Sequence, residues 1–369
     1  MNTQHIETLI IGAGQCGLST GYHLQRRNRP FLIVDSNERI GDNWRKHYDS
    51  LRLYTPAKYT DLPGMLYPDP ERWNYPSRDE VAEYLESYAV RFDLPVRLNT
   101  SIDKLTARPE GGYSAIMGGE MITCDNVVIA TGTFGRTPMI PEFARELDPS
   151  IRQLHSSEYK RPSQLLPGSV LVVGASHSGT DIAYELADTH ETTLAGRDCG
   201  QLPMRWDTPL FRLGLPVLVF IARHVMTRRT PVGRKLMGEI RTHGGPMLRI
   251  KREDLAARGV IRNTSRVTGV RNGRPLLDDG TVADVQNVVW CTGFRQVFDW
   301  IDLPVIGDDG WPTEYRGVVR DAPGLFFCGL SFQFAFSSMV FPGVGRDTAY
   351  VARRIAARKA SSAPARQAA

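Results

Sequence analysis

Ile10-Ile11-Gly12-Ala13-Gly14-Gln15-Cys16-Gly17 lies at the start of the chain, and Val172-Val173-Gly174-Ala175-Ser176-His177-Ser178-Gly179 repeats its plan near the middle. In each, an apolar run of the kind buried as a parallel strand is followed by small residues that let the backbone turn tightly and bring a helix N-terminus to a pyrophosphate. Two such fingerprints point to two bound dinucleotides and to electron transfer between them. The expected fold is α/β, with two Rossmann-like dinucleotide-binding domains.

The first fingerprint has the full glycine spacing, Gly12, Gly14 and Gly17. Thr8 to Ile11 reads as its strand, Cys16 to Asn28 as its helix, and Phe31-Leu32-Ile33-Val34-Asp35 as the second strand. Asp35 then stands about 20 residues beyond the glycines, where a carboxylate can accept hydrogen bonds from ribose hydroxyls. The second fingerprint reads as a departure from that spacing, with Ser178 and Gly179 in place of a simple third glycine. Its next strand closes on Thr192-Thr193-Leu194-Ala195-Gly196-Arg197, without an acidic residue. A cation at Arg197 suits the 2′-phosphate of NADPH, which a carboxylate would repel; a solvated surface charge is the alternative.

The 369 residues are enough for two domains with real cores. Five cysteines are scattered and never spaced as CxxC, which fits a reducing compartment and a cytoplasmic protein. No apolar run reaches spanning length, and the start of the chain lacks the pattern of a signal peptide. A net charge of +5 is mild, better matched to anionic cofactors or substrates than to nucleic acid. The eight histidines show no metal-ligand spacing, so no metal is expected.

Further along, Gly41-Asp42-Asn43-Trp44 leads into a proline-rich loop that runs from Tyr54 to Ser77. Ser77 and Glu80 then form a capping box for a helix through Val81, Tyr84, Leu85 and Tyr88. Two buried strands end alike, in Ala130-Thr131-Gly132 and in Cys291-Thr292-Gly293, where a ligand at a strand's carboxyl end would sit. Gly329 to Ser338 combines small residues and aromatics with one amide, Gln333. It runs into a glycine-rich helix start whose positive end would favour an anionic group. The stretch 205–250 is basic and contains the apolar run 213–222, too short to span a bilayer. It reads as a wall of a substrate tunnel, a dimer contact or an interfacial segment.

Taken together, these motifs resemble the class B flavoprotein monooxygenases: the flavin-containing monooxygenases, the plant YUCCA-type enzymes and their small bacterial relatives. The resemblance rests on Gly12 to Gly17, the Gly41–Trp44 loop, Tyr84-Leu85-Glu86-Ser87-Tyr88-Ala89, the linker from His155 to Lys160, Gly174 to Gly179, and Cys291-Thr292-Gly293-Phe294. It implies FAD at the first fingerprint and NADPH at the second, with Thr131, Gly132, Thr292, Gly293 and Gly329 beside the cofactors. Residues 1–160 and 285–359 would form a discontinuous FAD-binding domain, 161–284 an inserted NADPH-binding domain, and 360–369 a disordered tail. The chemistry implied is oxygenation of a small organic substrate by O2 through a C4a-(hydro)peroxyflavin, giving N- or S-oxidation, Baeyer-Villiger reaction or oxidative decarboxylation.

Two departures bear on that chemistry. Only His155 and Tyr159 match the linker fingerprint FxGxxxHxxxY, and the family's flavin-facing Asn aligns with Tyr54. Tyr54 and Gln333 are thus the candidate catalytic residues. A non-oxygenating NADPH:acceptor oxidoreductase or NADPH oxidase is the alternative activity. A disulfide reductase would need a redox cysteine pair, and a redox sensor would need no turnover.

Overall fold

The computed structural model describes residues 3–132, 137–206 and 208–358. Its two main sheets each begin from one of the fingerprints. The opening strand, Thr3–Ile11, extends beyond its apolar tail because it pairs in parallel with Glu120–Ile129, from Thr3 opposite Met121 to Ile11 opposite Ile129. The first sheet runs in the order Ile301–Asp302, Lys104–Ala107, Tyr113–Met117, Glu120–Ile129, Thr3–Ile11, Phe31–Val34 and Val96–Arg97. Leu325–Phe327 adds in parallel to the far half of Glu120–Ile129. On this sheet the fingerprint helix Gln15–Gln25 lies against the last helix, Phe341–Ala356, and a buried hydrogen bond of 2.7 Å joins Ser19 and Thr348 between them.

The helix Arg78–Arg91 starts at the expected capping box of Ser77 and Glu80 and buries Val81, Tyr84, Leu85 and Tyr88, the i, i+3, i+4, i+7 stripe of an amphipathic helix. Its tyrosines anchor the proline-rich loop: the Tyr84 hydroxyl donates to the Met65 carbonyl and Tyr88 to the Pro63 carbonyl, each at 2.7 Å.

The second sheet is wholly parallel, in the order Ile261–Asn263, Glu191–Ala195, Ser169–Val173, Asn287–Trp290 and Arg152–His155. Val170, Leu171, Val172, Val288 and Val289 are fully buried, as expected for strands covered on both faces. Two strands given by the sequence to the first domain belong here: Arg152–His155, and Asn287–Trp290, which pairs with Ser169–Val173. The chain crosses between the sheets at an antiparallel ribbon, Thr137–Pro138 against Phe294–Arg295, and rejoins the first sheet from Ile301 onward. The crossings therefore lie near 137 and 295 rather than 160 and 285. Val288 and Val289 alone cannot show which sheet takes them, because apolar parallel strands look alike in both.

Within 205–250 the chain forms the helix Pro209–Phe220, a π turn at Ile221–Val225, and the helix Pro231–Thr242. Among the described residues, no helix is long and apolar enough to cross a membrane. The tail 360–369 lies outside the described residues.

Candidate active site

Strand register assembles the first crevice. Ile11 lies opposite Val34 and Ile129, and Ile129 opposite Phe327, so Gly12, Asp35, Ala130 and Cys328 all emerge at one level beyond the carboxyl ends of the strands. Gly12 has φ +109°, and a Cβ there would stand 2.6 Å from the Ala130 carbonyl oxygen. A Cβ on Gly17 would overlap the Gly12 carbonyl, so the helix can approach its strand only without one. Gly14 faces open space at the helix N-terminus, where no side chain caps the exposed N–H groups. These features fit a pyrophosphate.

Asp35 also supports the turn itself. Its Oδ2 accepts from the Ala13 N–H at 2.6 Å, and Oδ1 from the Asn37 backbone and side chain at 2.8 Å each. Gly41 packs on Ala82 with φ +86°, starting a short turn of helix that carries Trp44, and Trp44 stacks on Phe341 at the head of the last helix, 6.2 Å between centroids. Thr131 and Gly132 follow Ala130, and Gly132 faces open space.

The second crevice repeats the first. A Cβ on Gly174 would overlap the Cys291 carbonyl, as one on Gly12 would crowd that of Ala130, and a Cβ on Gly179 would overlap Gly174 as one on Gly17 does Gly12. Gly179 is therefore a true third glycine. The sequence departs only at the middle position, Ser176, whose hydroxyl donates to the Gly245 carbonyl at 2.9 Å. Ser178 lies half-buried in the first turn of the helix.

Arg197 is exposed beyond the next strand and has no carboxylate partner among the described residues. Beside that strand end is a cation the sequence did not flag, Arg262, which donates to the carbonyls of Leu194 at 3.0 Å and Gly196 at 2.6 Å. Thr292 donates to the Met139 carbonyl, and Gly293 faces open space. His155 donates from Nε2 to the Gly293 carbonyl at 3.1 Å, and burial lowers its pKa, opposed by that bond and by Glu158. Tyr159 is fully buried and donates to Glu185 at 2.8 Å. Of the two linker residues that match the family fingerprint, His155 thus bonds the turn after Asn287–Trp290 and Tyr159 the second fingerprint helix.

A buried cluster joins the two crevices. The hydroxyls of Tyr54 and Tyr48, from the first domain, reach the same Oδ2 of Asp181 on the second fingerprint helix, at 3.2 and 3.3 Å, and Arg249 Nη2 stands 3.4 Å from it. Burial raises the Asp181 pKa, opposed by the arginine and the two phenols. The Tyr54 ring lies 4.9 Å from that of His177 and edge-on to Trp206 at 6.0 Å. Burial lowers the His177 pKa to about 4.

Gln333 lies elsewhere. It is fully buried, and its Oε1 accepts the backbone N–H groups of Gly329 at 2.9 Å and Leu330 at 3.4 Å. Gly329 has φ +87° and packs against Cys16 Sγ. Gln333 holds the turn after the strand Leu325–Phe327, whose N–H groups there need an acceptor, while its Nε2 is buried with no hydrogen-bond partner among the described residues.

The tertiary structure also brings together two cysteines distant in sequence. Cys328 hydrogen-bonds Cys16, and this bond together with burial holds its thiol well above the usual range. A protonated, buried thiol is a poor nucleophile for disulfide exchange.

A family profile described as pyridine nucleotide-disulphide oxidoreductase matches residues 9–207. The chain is 37% identical over 361 residues to an uncharacterized CzcO-like oxidoreductase of Geobacillus kaustophilus (strain HTA426), covering 94% of this chain and 98% of that one. It is 31% identical over 334 residues to the indole-3-pyruvate monooxygenase YUCCA1 of Oryza sativa subsp. japonica, covering 86% and 80%. Among solved structures, the flavin-containing monooxygenase from Stenotrophomonas maltophilia matches with a TM-score of 0.75 at 25% identity, covering 96% of this chain and 99% of that one.

Proposed function

The chain belongs to the pyridine nucleotide-disulphide oxidoreductase family, and from that premise we propose that this flavin-dependent oxidoreductase is an NADPH-using monooxygenase of a small organic substrate. FAD takes the Gly12 crevice and NADPH the Gly174 crevice. The flavin supplies the acceptor for hydride and the centre at which O2 is activated.

This chain's residues bind, orient and exclude water. Gly12, Gly14 and Gly17 present helix N–H groups to one pyrophosphate, and Gly174, Ser176 and Gly179 to the other. Arg197 takes the 2′-phosphate. Trp44 and Phe341 close one side of the flavin crevice, and the aromatic group of Tyr54, Tyr75, Trp206 and Phe211 shields the passage between domains. Arg316 and Arg346 flank the Phe334 ring at 4.2 and 4.7 Å, which suits a substrate carrying an anionic group.

The observation that carries the reading is the pairing of two fingerprints of one geometry, with the helix of the second bonded through Asp181 to Tyr48 and Tyr54 of the first domain. Turnover under oxygen-18 gas across amines, sulfides, ketones and 2-oxo acids, with NADPH and H2O2 followed together, tests it. Label in product coupled to NADPH use supports a monooxygenase. NADPH use matched by H2O2, with no label in any product, supports an oxidase. The second outcome has its own support in the structure, since the Tyr54 hydroxyl and the Gln333 amide oxygen are already engaged within the protein.

A further inference from the structure

The helix Pro209–Phe220 buries Phe211 and Leu215 against Trp206 and turns an apolar stripe outward. Leu210, Leu213, Val217 and Phe220, at i, i+3, i+7 and i+10, lie on one face and are 66%, 77%, 59% and 59% exposed. Val225 and Val232 continue the exposed apolar surface along the chain at 41% and 56%. Four large side chains in one stripe exceed the scattered apolar residues of an ordinary surface. The stripe is held in place from behind: Phe334 O accepts from Arg228 N at 2.8 Å, and Phe336 N donates to Met226 O at 2.9 Å.

Charge selects the occupant. Between Thr208 and Thr242 the sequence carries seven cations, Arg212, Arg223, Arg228, Arg229, Arg234, Lys235 and Arg241, against one carboxylate, Glu239. Arg228 and Arg241 are committed to the buried Glu314, at 2.6 and 3.7 Å. Arg212, Arg229, Arg234 and Lys235 are exposed and have no carboxylate partner among the described residues. A two-fold contact through the stripe would set this basic segment against its own copy, and like charges disfavour that pairing. An apolar stripe within a cationic segment matches an anionic lipid surface, into which such a helix sinks to the depth of its apolar face.

We propose that the helix Pro209–Phe220 is a peripheral docking element for an anionic bilayer, with Leu210, Leu213, Val217 and Phe220 entering the interface and Arg212, Arg229, Arg234 and Lys235 meeting lipid headgroups. The contact needs no spanning segment.

Flotation of the full, FAD-loaded chain with vesicles of phosphatidylcholine alone and of phosphatidylcholine mixed with phosphatidylglycerol tests this. The protein floats with the anionic vesicles, stays behind with the neutral ones, and is released in about 1 M salt, where the Debye length is about 3 Å. The paired change Leu213→Glu with Val217→Glu lowers partitioning at least about tenfold, and Lys235→Ala lowers it about fivefold. Both variants keep the wild-type flavin spectrum, since the altered side chains are exposed. Absence of flotation with anionic vesicles overturns the proposal, as does flotation unchanged by the paired substitution. A dimer in sedimentation that the paired substitution splits, without vesicle binding, would assign the stripe to self-association instead.

Discussion

Arg197 and Arg262 stand at the same strand end but serve different needs. Arg262 is bonded to the carbonyls of Leu194 and Gly196, whereas Arg197 is exposed and has no carboxylate partner among the described residues. Replacing Arg197 with Ala should raise KM for NADPH and leave NADH nearly unchanged, because a charge-assisted phosphate contact is worth about 1.5–3 kcal/mol. Equal effects on both nucleotides in steady-state kinetics would place the phosphate elsewhere. Gln333 leads to a different expectation. Gln333→Ala strands two backbone donors and should cost about 1–3 kcal/mol of stability in denaturant melts, with the ratio of product to H2O2 unchanged. A normal melt with altered coupling would place Gln333 at the flavin face.

At the scale of elements, the fingerprint glycines were legible because their spacing reflects a steric requirement local to strand, turn and helix. Gly17→Ala and Gly179→Ala place a methyl against the carbonyl of Gly12 or Gly174, a clash of the kind that costs about 1–3 kcal/mol. The first variant should purify with less flavin per chain by absorbance. The second should keep its flavin and bind NADPH more weakly, measured as the rate of flavin reduction against nucleotide concentration. Full flavin in Gly17→Ala would mean that the first crevice is not the FAD site. The outward face of Pro209–Phe220 was less legible, since an apolar run shows that a helix has a greasy side but not whether the fold covers it.

Across the whole molecule, burial lowers His23, His47 and His177 each from 6.5 to about 4. In that window the unfolded chain holds more protons than the folded one, so stability rises with pH. The contribution is fully present above about 6.5 and is lost as pH falls toward 4. Thermal melts at a series of pH values should show a steady decline over this range, and His177→Gln should flatten part of it. An unchanged slope in that variant would mean His177 is solvated and titrates normally. Asp181 belongs to the same scale, because it links the second fingerprint helix to the first domain through Tyr48 and Tyr54. Asp181→Ala should therefore slow flavin reduction at saturating NADPH while leaving flavin content intact, as stopped-flow traces would report.

The sequence by itself determined the α/β class, both fingerprints and the positions of Asp35 and Arg197 just beyond strand ends, because these depend on residues within a strand, a turn and the next strand. Only the tertiary structure decided that Asn287–Trp290 completes the second sheet, that Cys16 meets Cys328, that Tyr54 bonds Asp181 and that Gln333 secures a buried turn. Each of these joins segments far apart in the chain. An apolar strand, a thiol, a phenol and an amide are each compatible with several partners, and packing selects one because most buried polar groups and apolar faces must find a complement.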